Sequence, residues 1–341
     1  MLRRYLIAIL IVIGALLSLA GCGSSSGTGS RSGGGGNVNQ GRLYVSMPAA
    51  NTIVRFDNAF TANGAATPGG TLTGAATQLS SPQHLLIDTQ NNRLFVADPA
   101  GSSVLVFESA TTKTGNTAPD RTISGAATTL NAPNALALDA SNNLLYVADG
   151  LNVLVFASAS TITGNTPPIK TLGTGFGAGA LFLDQTNNRL FAANTLADQV
   201  AVYDNASGLP SGGVVANRTI SGASTGLNRP SGLGLDGTGR LVVSNLNAPS
   251  ITIYASTATA TGNITPAATI SGATTGLGNP AQIALNNSPG SGDTGDVYVA
   301  DGTSASVLVF SNIATANGNI APARKITGLT GAKGIALDTT R

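Results

Sequence analysis

One unit returns six times along this chain, and it limits the possible architectures more than any other feature. A clear copy occupies residues 133–156, PNALALDASNNLLYVADGLNVLVF, where three apolar runs are cut by turn residues at 139–143 and 149–152. Each run is four to six residues, the length of a strand and too short for a stable helix. Tyr146 in this unit aligns with Tyr44, Phe95, Phe191, Val242 and Tyr298, so the steps are 51, 51, 45, 51 and 56 residues. A period near 50 with several strands per unit is the signature of a β-propeller blade.

Each unit supplies a fourth, Thr-rich strand. The copies read GGTLTGA from 69, DRTISGA from 120, IKTLGTG from 169, NRTISGA from 217, AATISGA from 267 and ARKITGL from 323. A polar loop precedes this strand and carries Gly-Asn at 115–116, 164–165, 262–263 and 318–319. Such dipeptides provide the positive-φ turn that reverses the chain. The fourth unit has 205–213 in that place and is irregular.

The ends of the repeat region complement each other. The chain closes on Gly334-Ile335-Ala336-Leu337-Asp338, a first strand with no second after it, and the region opens on Arg42-Leu43-Tyr44-Val45, a second strand with no first before it. The expected fold is therefore all-β: a six-bladed propeller of four-stranded antiparallel blades. Its first blade takes one strand from the C-terminus and three from the N-terminus. Closure of that kind leaves no open edge between first and last blades. Charged residues make up only 9% of the chain, and small side chains suit sheets that are buried on both faces.

The N-terminus carries a separate message. Residues 1–21 contain Arg3 and Arg4, then an apolar run over 5–17, then small residues up to Cys22. That is the layout of a secretory signal peptide, and the run is too short to span a bilayer comfortably. Leu19-Ala20-Gly21-Cys22 resembles the lipobox of bacterial lipoproteins. The resemblance implies cleavage before Cys22, acylation of that residue and a membrane anchor through its acyl chains. Residues 22–40, rich in Gly and Ser, would form a flexible tether, and 41–341 the propeller. Gly23, at the position after the acylated cysteine, favours the outer membrane or cell surface over inner-membrane retention, with a periplasm-facing orientation as the other possibility.

Charge and cysteine count narrow the partners. Of 17 Lys and Arg, two lie in the signal peptide, which leaves 15 against 15 Asp and Glu. A neutral, exported domain lacks the basic footprint that nucleic acid requires. Cys22 is the one cysteine, so no disulfide framework forms within the chain. A monomer is expected.

The pattern P-x-x-[IL]-A-L-D, N-x-L-[YF]-V-A-D, V-L-V-F is similar to the NHL repeat of six-bladed propellers over residues 42–341. The chain departs from it in a longer loop before the fourth strand and in small residues such as Ser102-Ser103 before the third. The resemblance implies a scaffold fold and leaves the ligand open.

Two rings of polar residues are candidates for function. Asp88, Asp139, Asp184, Asp236 and Asp338, with Asn286, end the first strands; Arg93, Arg189, Arg240 and Arg42 open the second strands opposite four of them. Cross-strand hairpin pairs are the expectation there: Asp88 with Arg93, Asp184 with Arg189, Asp236 with Arg240 and Asp338 with Arg42. A second ring, Asp98, Asp149, Asn194, Asn245 and Asp301, ends the second strands. Its short side chains suit turn capping, yet it surrounds one mouth of the channel. With the single histidine His84, Gln282 and Lys333 at the start of first strands, it defines a candidate polar binding pocket.

No catalytic signature accompanies these residues. One histidine and no second cysteine do not make a usual zinc set, no G-x-S-x-G elbow is followed by a helix, and Glu108 is the only glutamate. The expected function is therefore an envelope-anchored scaffold that binds protein or glycan, without catalytic residues and without a required cofactor. The alternative is a metal-dependent lactonase or lyase with Ca²⁺ held by the mouth ring of Asp and Asn oxygens.

Overall fold

The structure, a computed structural model, describes residues 40–288 and 295–341. The apolar runs form strands as their length and β-branched content dictate, and no α-helix occurs among the described residues. Six sheets result. From channel to perimeter, the first holds Ile335–Asp338, Arg42–Met47, Thr52–Phe56 and Gly70–Leu72. The second holds His84–Asp88, Arg93–Asp98, Ser103–Glu108 and Arg121–Ile123, and the other four repeat that order. Arg42 faces Asp338 and Val45 faces Ile335 in an antiparallel ladder, so the two termini of the repeat region share one sheet.

Packing between blades is apolar throughout. Tyr146, Tyr203, Tyr254 and Tyr298 and the phenylalanines at 56, 95, 107, 156, 191 and 310 are fully buried. Each apolar cluster draws on two adjacent blades; one joins Phe95 and Val106 of the second blade to Val147 and Phe156 of the third. Both faces of a blade therefore read as apolar, which accounts for near-continuous runs where a one-sided sheet would alternate.

The long loop before each fourth strand has a structural role that the sequence reading missed. Its glycine reaches back to the outermost strand of the preceding blade and forms a parallel bridge: Leu72 with Gly115, Ile123 with Gly164, Ile220 with Gly262, Ile270 with Gly318 and Ile326 with Gly64. The irregular fourth unit does the same with a two-residue strand, Gly212–Gly213, beside Lys170–Gly173. The neighbouring asparagine then accepts from a backbone N–H in the next connection, as Asn165 Oδ1 does from Ala127 at 2.7 Å. This contact explains Gly125: its φ is +113°, and a Cβ there would lie 2.6 Å from Asn165 Oδ1. Each outer edge is thus covered, which removes a template for edge-to-edge aggregation.

A basic side chain crosses every blade junction on the same face. Arg55 donates to the carbonyls of Ala110 and Lys113, Arg121 to Ala159 and Ile162, and Lys170 to Ser207. Arg218 donates to Thr257, Arg240 to Ile313 and Ala314, and Arg324 to Ala59 and Ala62. Charge-assisted bonds to otherwise orphaned loop carbonyls are among the stronger kinds, so the scarce charges are concentrated where blades meet.

Candidate functional site: the central channel

The six innermost strands enclose a cavity of about 490 Å³. Each contributes three consecutive apolar residues, from Leu85–Leu86–Ile87 in the second blade to Ile335–Ala336–Leu337 in the first. Their side chains form three tiers, aliphatic or aromatic except at Gly234, with Asp88 beyond the last tier, and the unpaired inner edges of these strands turn backbone groups toward the channel, so the lining is as polar as it is apolar. The middle tier is uneven: Leu86 and Phe182 are bulky, whereas Ala137 between them and Gly234, Ala284 and Ala336 opposite are small. At one end the lining passes to polar turns, with Gln90, Ser141, Gln185 and Asn287.

The other end is tight. A Cβ on Gly334 would lie 2.6 Å from the carbonyl oxygen of Gln83, and one on Gly232 would lie 2.6 Å from that of Ala281. Small residues at this level, Ala135, Ala180, Gly232 and Gly334, let the strands converge. Two large side chains sit among them, His84 and Gln282. Gln282 crosses from the sixth blade: its Oε1 accepts from Leu85 N–H at 3.1 Å and from Ile335 N–H at 3.0 Å, and its Nε2 donates to Leu85 O at 2.8 Å. His84 is 6% exposed, and its Nδ1 is enclosed without a hydrogen-bond partner among the described residues. Burial drives its pKa down to about 3, so the ring is neutral at pH 7.

The remaining candidate residues lie elsewhere. Asp98 accepts from the N–H groups of Ser80 and Ser81 at 2.6 and 2.7 Å, Asp149 from Asn131 and Ala132 at 2.6 and 2.9 Å, and Asp301 from Gly278 and Asn279 at 2.8 and 3.0 Å. Asn194 and Asn245 accept from Ala197 and Asn228. Asp98, Asp149, Asn245 and Asp301 fasten the connection that enters the first strand, Asn194 caps its own turn toward the third, and none of the five lines the cavity. Lys333 is half-buried beside them; burial and then the charge of Arg229 lower its pKa. The polar pocket expected from the sequence thus reduces in the structure to His84 and Gln282. Among the described residues no three His, Cys, Asp or Glu side chains gather in a way that would hold a metal ion.

The first ring differs from expectation in its partners. Asp236 meets Arg240 at 2.6 Å, and burial, which alone would raise the Asp236 pKa, is outweighed by hydrogen bonds from Arg240 and Thr238 that lower it. Asp88 lies 3.6 Å from Arg93, but Arg93 makes its short contact, 2.8 Å, with Glu108. Arg189 turns from Asp184 to Asp204 at 3.0 Å, and Arg42 from Asp338 to Asp57 at 3.1 Å. The reason is local. Asp88, Asp139 and Asp184 are occupied by the Asn three residues on, through both its backbone N–H and its side-chain amide, an Asx-type turn. The arginines then pair across to the third strand, a partner that hairpin spacing alone does not reveal. Cys22 lies outside the described residues.

No protein-family model matches the chain, and no curated protein sequence matches it. Among solved structures, a chain of the nidogen/laminin complex is similar over 87% of this chain and 98% of its own, with a TM-score of 0.59 and 15% identity. A functionally unknown protein from Desulfotomaculum acetoxidans DSM 771 is similar over 80% of this chain and 75% of its own, with a TM-score of 0.51 and 15% identity. At this identity the likeness is one of fold: a six-bladed β-propeller.

Proposed function

We propose that this chain is an exported, lipid-anchored scaffold whose propeller docks a protein partner in the cell envelope. The observation that carries the docking is a pair of exposed leucines on equivalent turns of neighbouring blades. Leu151 is 60% exposed in the turn after Leu144–Asp149, and Leu196 is 85% exposed in the turn after Arg189–Asn194. Aliphatic side chains held out on a rigid surface offer burial to a protein and no hydrogen bond to a glycan. The similar chain in the nidogen/laminin complex belongs to a protein–protein assembly, which supports the same reading. The anchor rests on Arg3, Arg4, the apolar run before residue 18 and Cys22.

A photo-crosslinking residue at Leu196 in cells tests the docking, with Gln90 on the opposite face as control. A discrete adduct at Leu196 alone is expected, and equal or absent adducts at both positions would remove the proposal. Incorporation of labelled palmitate, lost in Cys22→Ser, tests the anchor separately.

A further inference from the structure

The channel supports an inference of its own, which starts from the strand edges that face it. In an antiparallel ladder every second residue turns both its N–H and its C=O away from the partner strand. Asp236 N–H donates to the Arg240 carbonyl and so faces the second strand of its blade. The first and third residues of each inner apolar triplet therefore turn their peptide groups to the channel. Three of them show it directly: Gln282 meets both groups of Leu85 and the N–H of Ile335, and Asn287 Nδ2 donates to the Leu235 carbonyl. Among the described residues the other inward groups of the six triplets meet no protein partner. Peptide groups outside a ladder need water or a ligand, and here N–H and C=O alternate along every edge. An occupant that replaces the water must donate and accept over its whole surface, which a hydroxyl does with one atom. An anion accepts only and would face the carbonyls; an ammonium donates only and would face the N–H groups. The lining has no lysine or arginine, and its one acidic side chain, Asp88, is held by Asn91.

We propose that the channel binds a neutral monosaccharide, with its hydroxyls on the free peptide groups and its C–H faces on the apolar side chains. The cavity of about 490 Å³ is in the range of small-molecule sites. A lining polar and apolar in equal part matches a ring with hydroxyls round its rim and C–H bonds on its faces. Entry is by the end where Gln90, Ser141, Gln185 and Asn287 are polar and uncharged. At the other end the strands converge and Gln282 ties three blades together, so a polymer does not thread through. Phe182, half-buried, is the one phenyl ring of the lining, and Ala284 and Ala336 leave room across from it. The sugar ring seats there, against Phe182. The site is separate from the docking leucines, so either reading can fail alone.

The test uses the mature chain, residues 22–341 with Cys22→Ser, which contains the whole closed propeller. The probes are glucose, galactose, mannose and N-acetylglucosamine, followed by saturation-transfer NMR, which registers weak binding. Transfer to at least one of them is expected, with a Kd of about 1 mM or tighter. Glucuronate and glucosamine, both charged at pH 6, should bind at least about tenfold more weakly than the best neutral probe. Ala284→Leu should abolish the transfer by filling the room across from Phe182, with a thermal melt to show that it folds. Phe182→Leu, which keeps an aliphatic wall, should weaken the sugar by about three- to tenfold. No transfer to any neutral probe in the wild-type chain overturns the site. Equal binding of glucuronate, which needs no variant, overturns the uncharged class. Affinity unchanged in both Ala284→Leu and Phe182→Leu puts the sugar elsewhere and overturns the channel as its seat.

Discussion

Along the channel, seventeen apolar side chains and Gly234 line the first strands, and Nδ1 of the imidazole at their end is left without a protein partner. Farther out in the same sheets, carboxylates and arginines are drawn into shared pairs. Glu108 joins Arg93 and Arg121 at 2.8 and 2.7 Å, Asp204 joins Arg189 and Arg218 at 3.0 and 2.8 Å, and the outer arginines continue into the next blade. The contrast shows where a closed ring needs specification. Packing of flat apolar faces holds blades together but tolerates sliding; fixed donors at the rim set the angle between neighbours. At the inner wall the strands converge sterically at Gly232 and Gly334, and a few side chains bond across blades there: Gln282 to Leu85 and Ile335, Ser231 to Pro280 and Ser244 to Ala281.

The largest expected effect breaks the perimeter. Arg121 is 11% exposed, lies over the Phe95 ring at 5.9 Å, pairs with Glu108 and donates to Ala159 and Ile162. Arg121→Ala leaves two loop carbonyls and part of a carboxylate unpaired, and should cost about 3 kcal/mol in urea unfolding. Lys170→Ala at the next junction loses a single carbonyl bond, to Ser207, and should cost about 1 kcal/mol. Equal losses at the two positions would show that the rim contacts do not set blade stability.

The inner wall is sharpened by pH. His84 has its folded pKa lowered to about 3 from 6.5 by burial. The unfolded chain therefore takes up the proton first as pH falls, so stability is complete above about 6.5 and is lost downward through that window. The slope is about 1.4 kcal/mol per pH unit. Measured at pH 7.5 and 4.5, the wild type should lose roughly 2–3 kcal/mol relative to His84→Leu. The difference isolates His84 from carboxylates common to both proteins. Parallel pH curves would mean the imidazole is solvated.

Much of this fold was legible in the sequence because its signals are local and repeated. A 51-residue step and short apolar runs give strands, blades and their number, and GIALD against RLYV gives the shared first blade. The candidate site was legible only in part. His84, as the single histidine, and Gln282 were read with Lys333 and the Asp and Asn ring as one polar pocket, of which the cavity lining keeps His84 and Gln282. The channel-lining triplets read [LI]-x-[LI] before each Asp and before Asn286, but a period-2 pattern cannot say that an innermost strand faces a channel and not a neighbouring sheet. Hydrogen bonds from Ser80 and Ser81 to Asp98, or from Arg121 to Ile162, join residues 17 to 41 apart. Such partners are set by blade geometry, and no pairwise spacing rule reaches them.

The smallest effect concerns the ring at the ends of the second strands, where chain composition offers an internal control. Two of its five members are already Asn, at 194 and 245, and Asn245 satisfies its amide on Ser250 and Thr252 while accepting from Asn228. Asp149 uses both carboxylate oxygens on backbone N–H groups, at 2.6 and 2.9 Å. Asp149→Asn keeps one of those acceptors and should cost about 1 kcal/mol. Because both oxygens are already engaged in the protein's own turn, Ca²⁺ should leave the melting temperature of either chain unchanged. A bound ion at 100 times its Kd would instead add about 2.7 kcal/mol to the native state. A rise on adding Ca²⁺, present in the wild type and absent in Asp149→Asn, would require the ring to release its loops and gather around a cation. The inner end of the propeller would then be a metal site with a different face from the channel beside it.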